Sequence, residues 1–403
     1  MPIPLVEKEG RNPMSFYRSR KLIVPLSLMV VLGLVLAACA TPTAAPAAEE
    51  PASAPAEPAA PAEQPPAAEA APDYAAYEPP YGALKPVALN AGSQALCQNL
   101  AYTGGTPTIA YMPPATEFNY YIAIGEGVKA EAASLGADTF MLAPQSGADI
   151  AGQMGMIQDV ITQGVDAIIL STHDEAAAAP LVERAVDQGI AVIIVNNDIP
   201  NFPSPVHGVV GYSQRRGTYK MGMYVAGMFG GEAKVGVLEG QPGYHSTERI
   251  GGYLDALSQF PGMEIVASLP TAWNVETGNT AMTDLITAHP EIEVVVTAND
   301  YISIGAAKAA ESLNRQDIAN FGNDGDTTGL EEINAGRWTG TVNTTPFVMG
   351  EVVMRAAWDC LNGTYPGGWI ETPVTIVDKT NAVEFLCHPE SLYPKPSEDY
   401  TCP

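Results

Sequence analysis

From Thr108 onward, short runs of β-branched and aliphatic residues alternate with Ala-rich stretches of amphipathic spacing. Apolar runs without polar alternation predict strands buried on both faces, and the stretches between them predict helices covering those faces. The predicted strands are 108–112, 138–142, 167–170, 191–195 and 206–210, then 234–238, 264–269, 293–297, 318–321 and 339–342. The predicted helices are 121–135, 150–162, 177–188, 217–229, 248–258, 280–288, 303–312 and 348–361. A strand followed by a helix, repeated in this way, is the grammar of parallel α/β sheets.

Two stretches repeat one another. Gly164-Val165-Asp166 opens a strand that leads through Ser171-Thr172-His173-Asp174 to an Ala-rich helix and a strand ending at Asn196-Asn197-Asp198. Ile292-Glu293 opens another, leading through Thr297-Ala298-Asn299-Asp300 to a second Ala-rich helix and a segment ending at Gly322-Asn323-Asp324. The expectation is two Rossmann-like α/β lobes with parallel sheets. The chain is expected to cross between them near Gly211, near Thr344–Thr345 and near Thr372–Val374. Residues 105–211 with 345–373 would form the N-terminal lobe, and 212–344 with 374–403 the C-terminal lobe.

The N-terminus follows different rules. Arg18, Arg20 and Lys21 precede an uncharged apolar run to Ala37, the length of a secretory signal core and short for a membrane span. Leu36-Ala37-Ala38-Cys39 resembles a lipoprotein cleavage site, which implies residues 1–38 as signal peptide and a lipidated Cys39 holding the exported chain to the outer face of the cell membrane. Thr41 to Pro80 is nearly all Ala, Pro and Glu without Lys or Arg. Such composition buries too little apolar surface to offset its ordering entropy, so residues 39–104 are expected to be a disordered tether.

A formal charge of −26 argues against nucleic-acid binding, because contacts along a phosphate backbone need clustered Lys and Arg. Cys97, Cys360, Cys387 and Cys402 form an even set that permits disulfides in an exported protein, with the pairing left open; Cys97, Cys387 and Cys402 flank the core and could staple the termini. No zinc spacing occurs among them, and neither a metal nor a cofactor is expected.

Ligands of open α/β sheets bind beyond the carboxyl ends of the strands. Those positions hold Phe118, Tyr120 and Tyr121; Ser171; Asn196 and Asn197; Arg249; Trp273; Asn299; Asp324; and Thr344. Planar rings stack on the CH faces of a sugar, while carboxylates, amides and an Arg fix the direction of hydroxyls. Any single Asn or Asp here is equally a helix cap or turn residue; their recurrence after successive strands, together with Trp273 and Tyr120–Tyr121, favours a small-molecule cleft.

From about Thr106 to Asp378 the chain resembles the type I periplasmic sugar-binding proteins, the ribose- and galactose-binding family. The resemblance rests on Thr108-Ile109-Ala110 with Tyr120-Tyr121, Leu238-Glu239-Gly240, Glu248-Arg249-Ile250-Gly251-Gly252-Tyr253, Ala298-Asn299-Asp300 and Gly322-Asn323-Asp324-Gly325. It implies ligand capture between hinged lobes, with Tyr120, Tyr121 and Trp273 stacking on a ring, Arg249, Asp324 and Asn299 holding hydroxyls, and Ser171, Asn196, Asn197 and Thr344 in support. It also implies an ABC permease as partner and a monosaccharide or similar small polar solute as ligand. Asn196-Asn197 stands where ribose binders carry Asp-Arg, and the first loop lacks the family's Ser and paired Asn, so the solute stays open among pentoses, hexoses, polyols and related molecules. Replacing Arg249 or Asp324 by Ala is expected to weaken binding while sparing the empty fold.

Other readings are weaker. Gly125-Glu126-Gly127 mimics a dinucleotide fingerprint but lies inside a predicted helix. Asp324-Gly325-Asp326 opens like a calcium loop but reaches Ala335 where Glu is required. His173-Asp174-Glu175 reads as a helix start, and Ser246 beside His245 lacks a nucleophile elbow. A sensor module feeding a chemoreceptor or kinase would share every feature above. A carbohydrate hydrolase would turn its ligand over, whereas a binder returns it unchanged.

Overall fold

The computed structural model describes residue 84, residues 86–398 and residues 400–403. The signal peptide, Cys39 and the Ala/Pro/Glu-rich stretch lie outside the described residues. The described chain opens with β1 (Thr108–Met112), α1 (Asn119–Leu135), β2 (Asp138–Met141), α2 (Ile150–Gln163), β3 (Ala167–Leu170), α3 (Glu175–Asp187), β4 (Ala191–Val195) and β5 (Gly208–Gly211). It continues through α4 (Gln214–Met228), β6 (Glu232–Glu239), α5 (Tyr244–Leu257), β7 (Gly262–Pro270), α6 (Val275–Ala288), β8 (Val294–Thr297), α7 (Asp300–Ser312), β9 (Ala319–Asp324), α8 (Thr327–Asn334) and β10 (Gly340–Asn343). It closes with α9 (Pro346–Leu361), β11 (Trp369–Glu371), β12 (Thr375–Asp378) and α10 (Ala382–Leu386).

The strands form two six-stranded sheets, ordered β11-β5-β4-β3-β1-β2 and β12-β10-β9-β8-β6-β7. Taken in order of appearance within each lobe, the first five strands of both sheets follow the same 5-4-3-1-2 sequence, so the repeat in the sequence is a repeat in topology. β3 and β8 occupy equivalent places, as do β4 and β9. All pairings between named strands are parallel except β10 with β12. Helix α9 returns to lobe 1, packing on α1, β3, β4 and β5, while α4 packs on α5, β10 and β12 of lobe 2. The chain therefore crosses between sheets after β5, after β10, and between β11 and β12.

Strands β3, β4, β5 and β8 are buried along their whole length, which is why they lack polar alternation. Helix α1 approaches α9 closely enough that a Cβ added to Gly127 would lie 1.9 Å from the Phe347 carbonyl oxygen. The Gly-Glu-Gly run thus serves helix packing.

Three differences from the sequence reading stand out. Several helices begin earlier than the apolar pattern indicates, because side-chain caps set their starts: Asn274 accepts from Thr277 N–H, Asn299 from Ile302 N–H and Asp174 from Ala177 N–H. Elements β11, β12, α8 and α10 went unpredicted. The last part of the stretch assigned to the tether instead packs on lobe 1: Val87 pairs with Trp369, Gln94 bridges to Val206, and Leu84, Leu89, Leu100 and Tyr102 pack against the cores. Apolar residues return after Pro80, and with them the means to offset ordering entropy.

Cys97 is bonded to Cys360 of α9, and Cys387 to Cys402 fifteen residues on. Each bridge stays within one lobe.

Candidate functional site

The carboxyl ends of both sheets face a shared cleft. From lobe 1, Phe118 is the N-cap residue of α1 and Tyr120 and Tyr121 lie in its first turn. The Tyr111 hydroxyl donates to the Tyr121 carbonyl at 3.0 Å and fixes that turn. The Tyr120 hydroxyl donates to Asn196 Oδ1 at 2.9 Å and lies 3.0 Å from Thr344 Oγ1, so one ring links α1, the end of β4 and a hinge strand.

From lobe 2, Arg249 projects from α5 and is buried. Its Nε donates to Gln214 Oε1 at 3.0 Å, and its Nη1 to the Ala298 carbonyl at 3.1 Å and Asp324 Oδ1 at 2.9 Å. The guanidinium carbon stands 5.7 Å from the Trp273 ring centroid and 5.8 Å from that of Tyr212. Asp324 Oδ1 also accepts from Asn323 Nδ2. Among the described residues no hydrogen bond engages Arg249 Nη2 or Asp324 Oδ2, which leaves one donor and one acceptor side by side at the cavity.

The loop bearing Asp324 is braced by Asp300, whose Oδ2 accepts the N–H groups of Gly325 and Asp326 and whose Oδ1 accepts from Thr341. Trp273 lies on Gly240, where a Cβ would fall 2.2 Å from the indole. The Trp273 carbonyl accepts from Asn299 Nδ2 at 3.2 Å. Trp273 has φ 65°, Asn196 φ 58°, Asp324 φ 150° and the hinge residue Thr345 φ 47°. Backbone strain of this kind persists where surrounding structure over-determines it, and it gathers at ligand sites.

Phe118, Tyr120, Tyr121, Arg249, Trp273, Asn299 and Asp324 line a cavity of about 30 Å³ together with His173 and His245. The remaining residues picked from sequence stand behind that lining. Asn196 and Thr344 hold the Tyr120 hydroxyl. Asn197 Oδ1 accepts from Ile199 N–H at 2.7 Å, as a turn residue does. Ser171 is buried, with its carbonyl bound by Gln153 Nε2.

The two histidines were set aside on sequence grounds, as was Gln214 by omission. His173 Nδ1 lies 3.3 Å from the Gly147 carbonyl and its Nε2 3.4 Å from the Tyr121 hydroxyl, a pattern met by a neutral ring protonated on Nδ1. Burial pushes its pKa down to about 4, with Arg249 adding to the effect. Gln214 Oε1 accepts from Arg249, and His245 Nδ1 lies 2.8 Å from Gln214 Nε2 and 3.0 Å from its Oε1, so the same amide holds both side chains. Burial first, then Arg249 and His173, lower the His245 pKa as well. Burial drives Asp324 upward, to about 6, against the pull of Arg249. His173 follows its strand by three residues and stands directly before the α3 cap Asp174, a positional signal the sequence carried.

Two α/β lobes with strand ends facing a strained, aromatic-walled cleft define a protein that encloses a small molecule between hinged halves. The periplasmic binding protein domain family matches residues 109–364, and the chain belongs to that family. It is 28% identical over 258 residues to the ribose import binding protein of Bacillus subtilis strain 168, covering 64% of this chain and 82% of that one. It is 27% identical over 290 residues to a D-ribose/D-allose-binding protein of Pseudomonas aeruginosa, covering 69% and 90%. Among solved structures it is similar to an ABC transporter periplasmic solute-binding protein of Actinobacillus succinogenes 130z with bound D-allose, at TM-score 0.66 and 25% identity, covering 69% of this chain and all of that one. These relatives are binding proteins by name.

Proposed function

We propose that this chain captures a neutral sugar or polyol outside the cytoplasm and delivers it to an ABC-type importer, performing no reaction on it. The observation that carries the reading is the buried Arg249–Asp324 pair, whose unspent Nη2 donor and Oδ2 acceptor match the donor-and-acceptor character of a hydroxyl pair, between rings able to cover the CH faces of a sugar. Tyr120, Tyr121, Phe118 and Trp273 pack on the ring, and Arg249, Asp324 and Asn299 hold hydroxyls. Asn196 and Thr344 orient Tyr120, while Asn197 and Ser171 shape the walls.

Ligand that touches both lobes only when they are shut shifts the population toward closure by that difference in affinity. A micromolar constant corresponds to about −8 kcal/mol, within reach of roughly a dozen heavy atoms. In this reading Cys39 carries the lipid that holds the protein to the outer face of the membrane, and the Ala/Pro/Glu-rich stretch, at most about 120 Å long, gives it room to reach the permease.

Calorimetry against pentoses, hexoses and polyols, with the bound molecule recovered and identified by mass spectrometry, tests the reading. Saturable binding with the solute returned intact supports it; conversion of excess solute, or no binding across the panel, overturns it.

A further inference from the structure

A second cavity, of about 240 Å³, adjoins the first and shares His173, His245 and Trp273 with it. One wall comes from lobe 1, through Gly147, Ala148 and Ile150 at the start of α2. The other comes from lobe 2, through Gln241 to Ser246 ahead of and within α5. A molecule held there would touch both lobes, as one in the inner cavity does.

The inner cavity, at about 30 Å³, has room for about two waters. It seats part of a sugar, and the outer chamber is the larger space by far. The partition between them is made of planar groups. His173 lies on Trp273 with centroids 6.3 Å apart and planes 23° from parallel, and His245 stands edge-on to His173 at 6.4 Å. His245 also meets the ring of Tyr244, which lines the outer chamber, at 6.2 Å. Flat rings therefore continue outward from the site already described.

His245 supplies an independent pointer. It is 6% exposed, Gln214 holds its Nδ1, and its Nε2 makes no hydrogen bond of good geometry among the described residues. A buried ring nitrogen left without a partner is unfavourable whichever tautomer is present, and a hydroxyl of a bound molecule, donor and acceptor both, would offset that cost. The outer lining holds no Lys or Arg, and Asp174 adds a carboxylate, so the chamber disfavours phosphate or sulfate groups.

Resting on the capture reading above, we propose that the ligand is a neutral two-ring glycoside. One sugar lies at Arg249 and Asp324, the second ring occupies the outer chamber against Tyr244, and a hydroxyl of the ligand hydrogen-bonds His245 Nε2.

The probes are D-glucose, D-allose and D-ribose, each alone, alongside cellobiose, maltose, trehalose and adenosine, measured by calorimetry on the whole exported chain. The expected result is at least one two-ring probe binding tenfold or more tighter than its parent monosaccharide. Tyr244→Ala should remove that advantage and change monosaccharide affinity less than twofold. Ala148 is exposed, so Ala148→Trp offers a fold-safe variant whose indole fills the chamber, with the same selective loss expected. A disaccharide advantage with adenosine inert assigns the second ring to a sugar; the reverse assigns it to a nucleobase. Monosaccharides binding as tightly as every two-ring probe would overturn the proposal while leaving sugar capture standing. No binding by any probe would overturn both.

Discussion

His173 of lobe 1 rests on the indole of Trp273 of lobe 2, and a second contact between the lobes joins the Asn119 N–H to the Tyr301 hydroxyl at 2.7 Å. These contacts hold the closed arrangement together across the cleft. An aromatic pair of this kind contributes about 0.5–1.5 kcal/mol. His173→Ala should therefore lower the closed-to-open ratio of the empty protein about 2- to 13-fold. Small-angle scattering would register a larger radius of gyration; an unchanged radius would assign closure to other contacts.

Arg249 and Asp324 form an ion pair with side chains about 5% exposed, and this revises the expectation that either can be removed without harm to the empty fold. Deleting one partner leaves an uncompensated buried charge, at a cost of about 3–5 kcal/mol. Arg249→Met and Asp324→Leu should each unfold at clearly lower urea concentration. The double variant should recover most of that stability and still bind no sugar. A double variant as fragile as the singles would show that the pair is more than mutually compensating.

Gly240→Ala would drive a methyl group into the ring of Trp273. The indole has to move, with a loss of affinity of at least tenfold and a shifted tryptophan emission spectrum, while far-ultraviolet circular dichroism stays as in the parent. Unchanged emission would mean that the backbone of the 240s loop yields first.

Acid should act through buried imidazoles. His207 is 2% exposed, its Nδ1 accepts from Val192 N–H, and burial lowers its pKa to about 4. Between pH 6.5 and about 4 the unfolded ring gains a proton that the folded ring refuses, so its stabilising contribution is lost as pH falls through that window. Linkage puts the loss at about 3 kcal/mol. Burial raises Asp198 and Asp326 to about 6, and these carboxyls favour the fold on acidification, masking the effect in the parent. The difference between parent and His207→Leu isolates it: the variant's deficit in urea melts at pH 7 should shrink by pH 4. A deficit constant with pH would place the His207 pKa near its ordinary value.

The two disulfides enclose loops of very different size, separated by 263 and 15 residues. Loop-closure entropy assigns them about 5.6 and about 3 kcal/mol. Reduction should lower the melting temperature and leave sugar affinity at 25 °C within twofold, since neither bridge joins the lobes. A large change in affinity would mean that a lobe loses its own shape on reduction.

Burial on both faces made the strands of the two sheets readable, because Ala167–Leu170 or Val294–Thr297 has no polar face to confuse the period. β12 pairs antiparallel with β10 after the last crossing, and β11 is three residues long; neither offers a period to detect. At the cleft, rings and charges directly after strands were legible from position alone. His173 was discounted because His-Asp-Glu also describes a helix start, and it serves both purposes: Asp174 caps α3 while His173 faces Trp273. Asn197 shows the converse, a residue after a strand whose side chain is taken up by a turn behind the lining. Which of several such residues faces inward depends on backbone twist at Asn196 and Asp324, and a one-dimensional pattern does not encode φ.

The stretch preceding β1 is stitched to lobe 1 twice over, by its pairing with Trp369 and Val206 and by the covalent link from Cys97 to α9. A pull applied ahead of Val87 would be taken up by that lobe without passing through the three crossings between the sheets. Lobe 2 has neither a bridge nor a disulfide to this stretch among the described residues, so a pull on the stretch would leave the swing of lobe 2 unloaded.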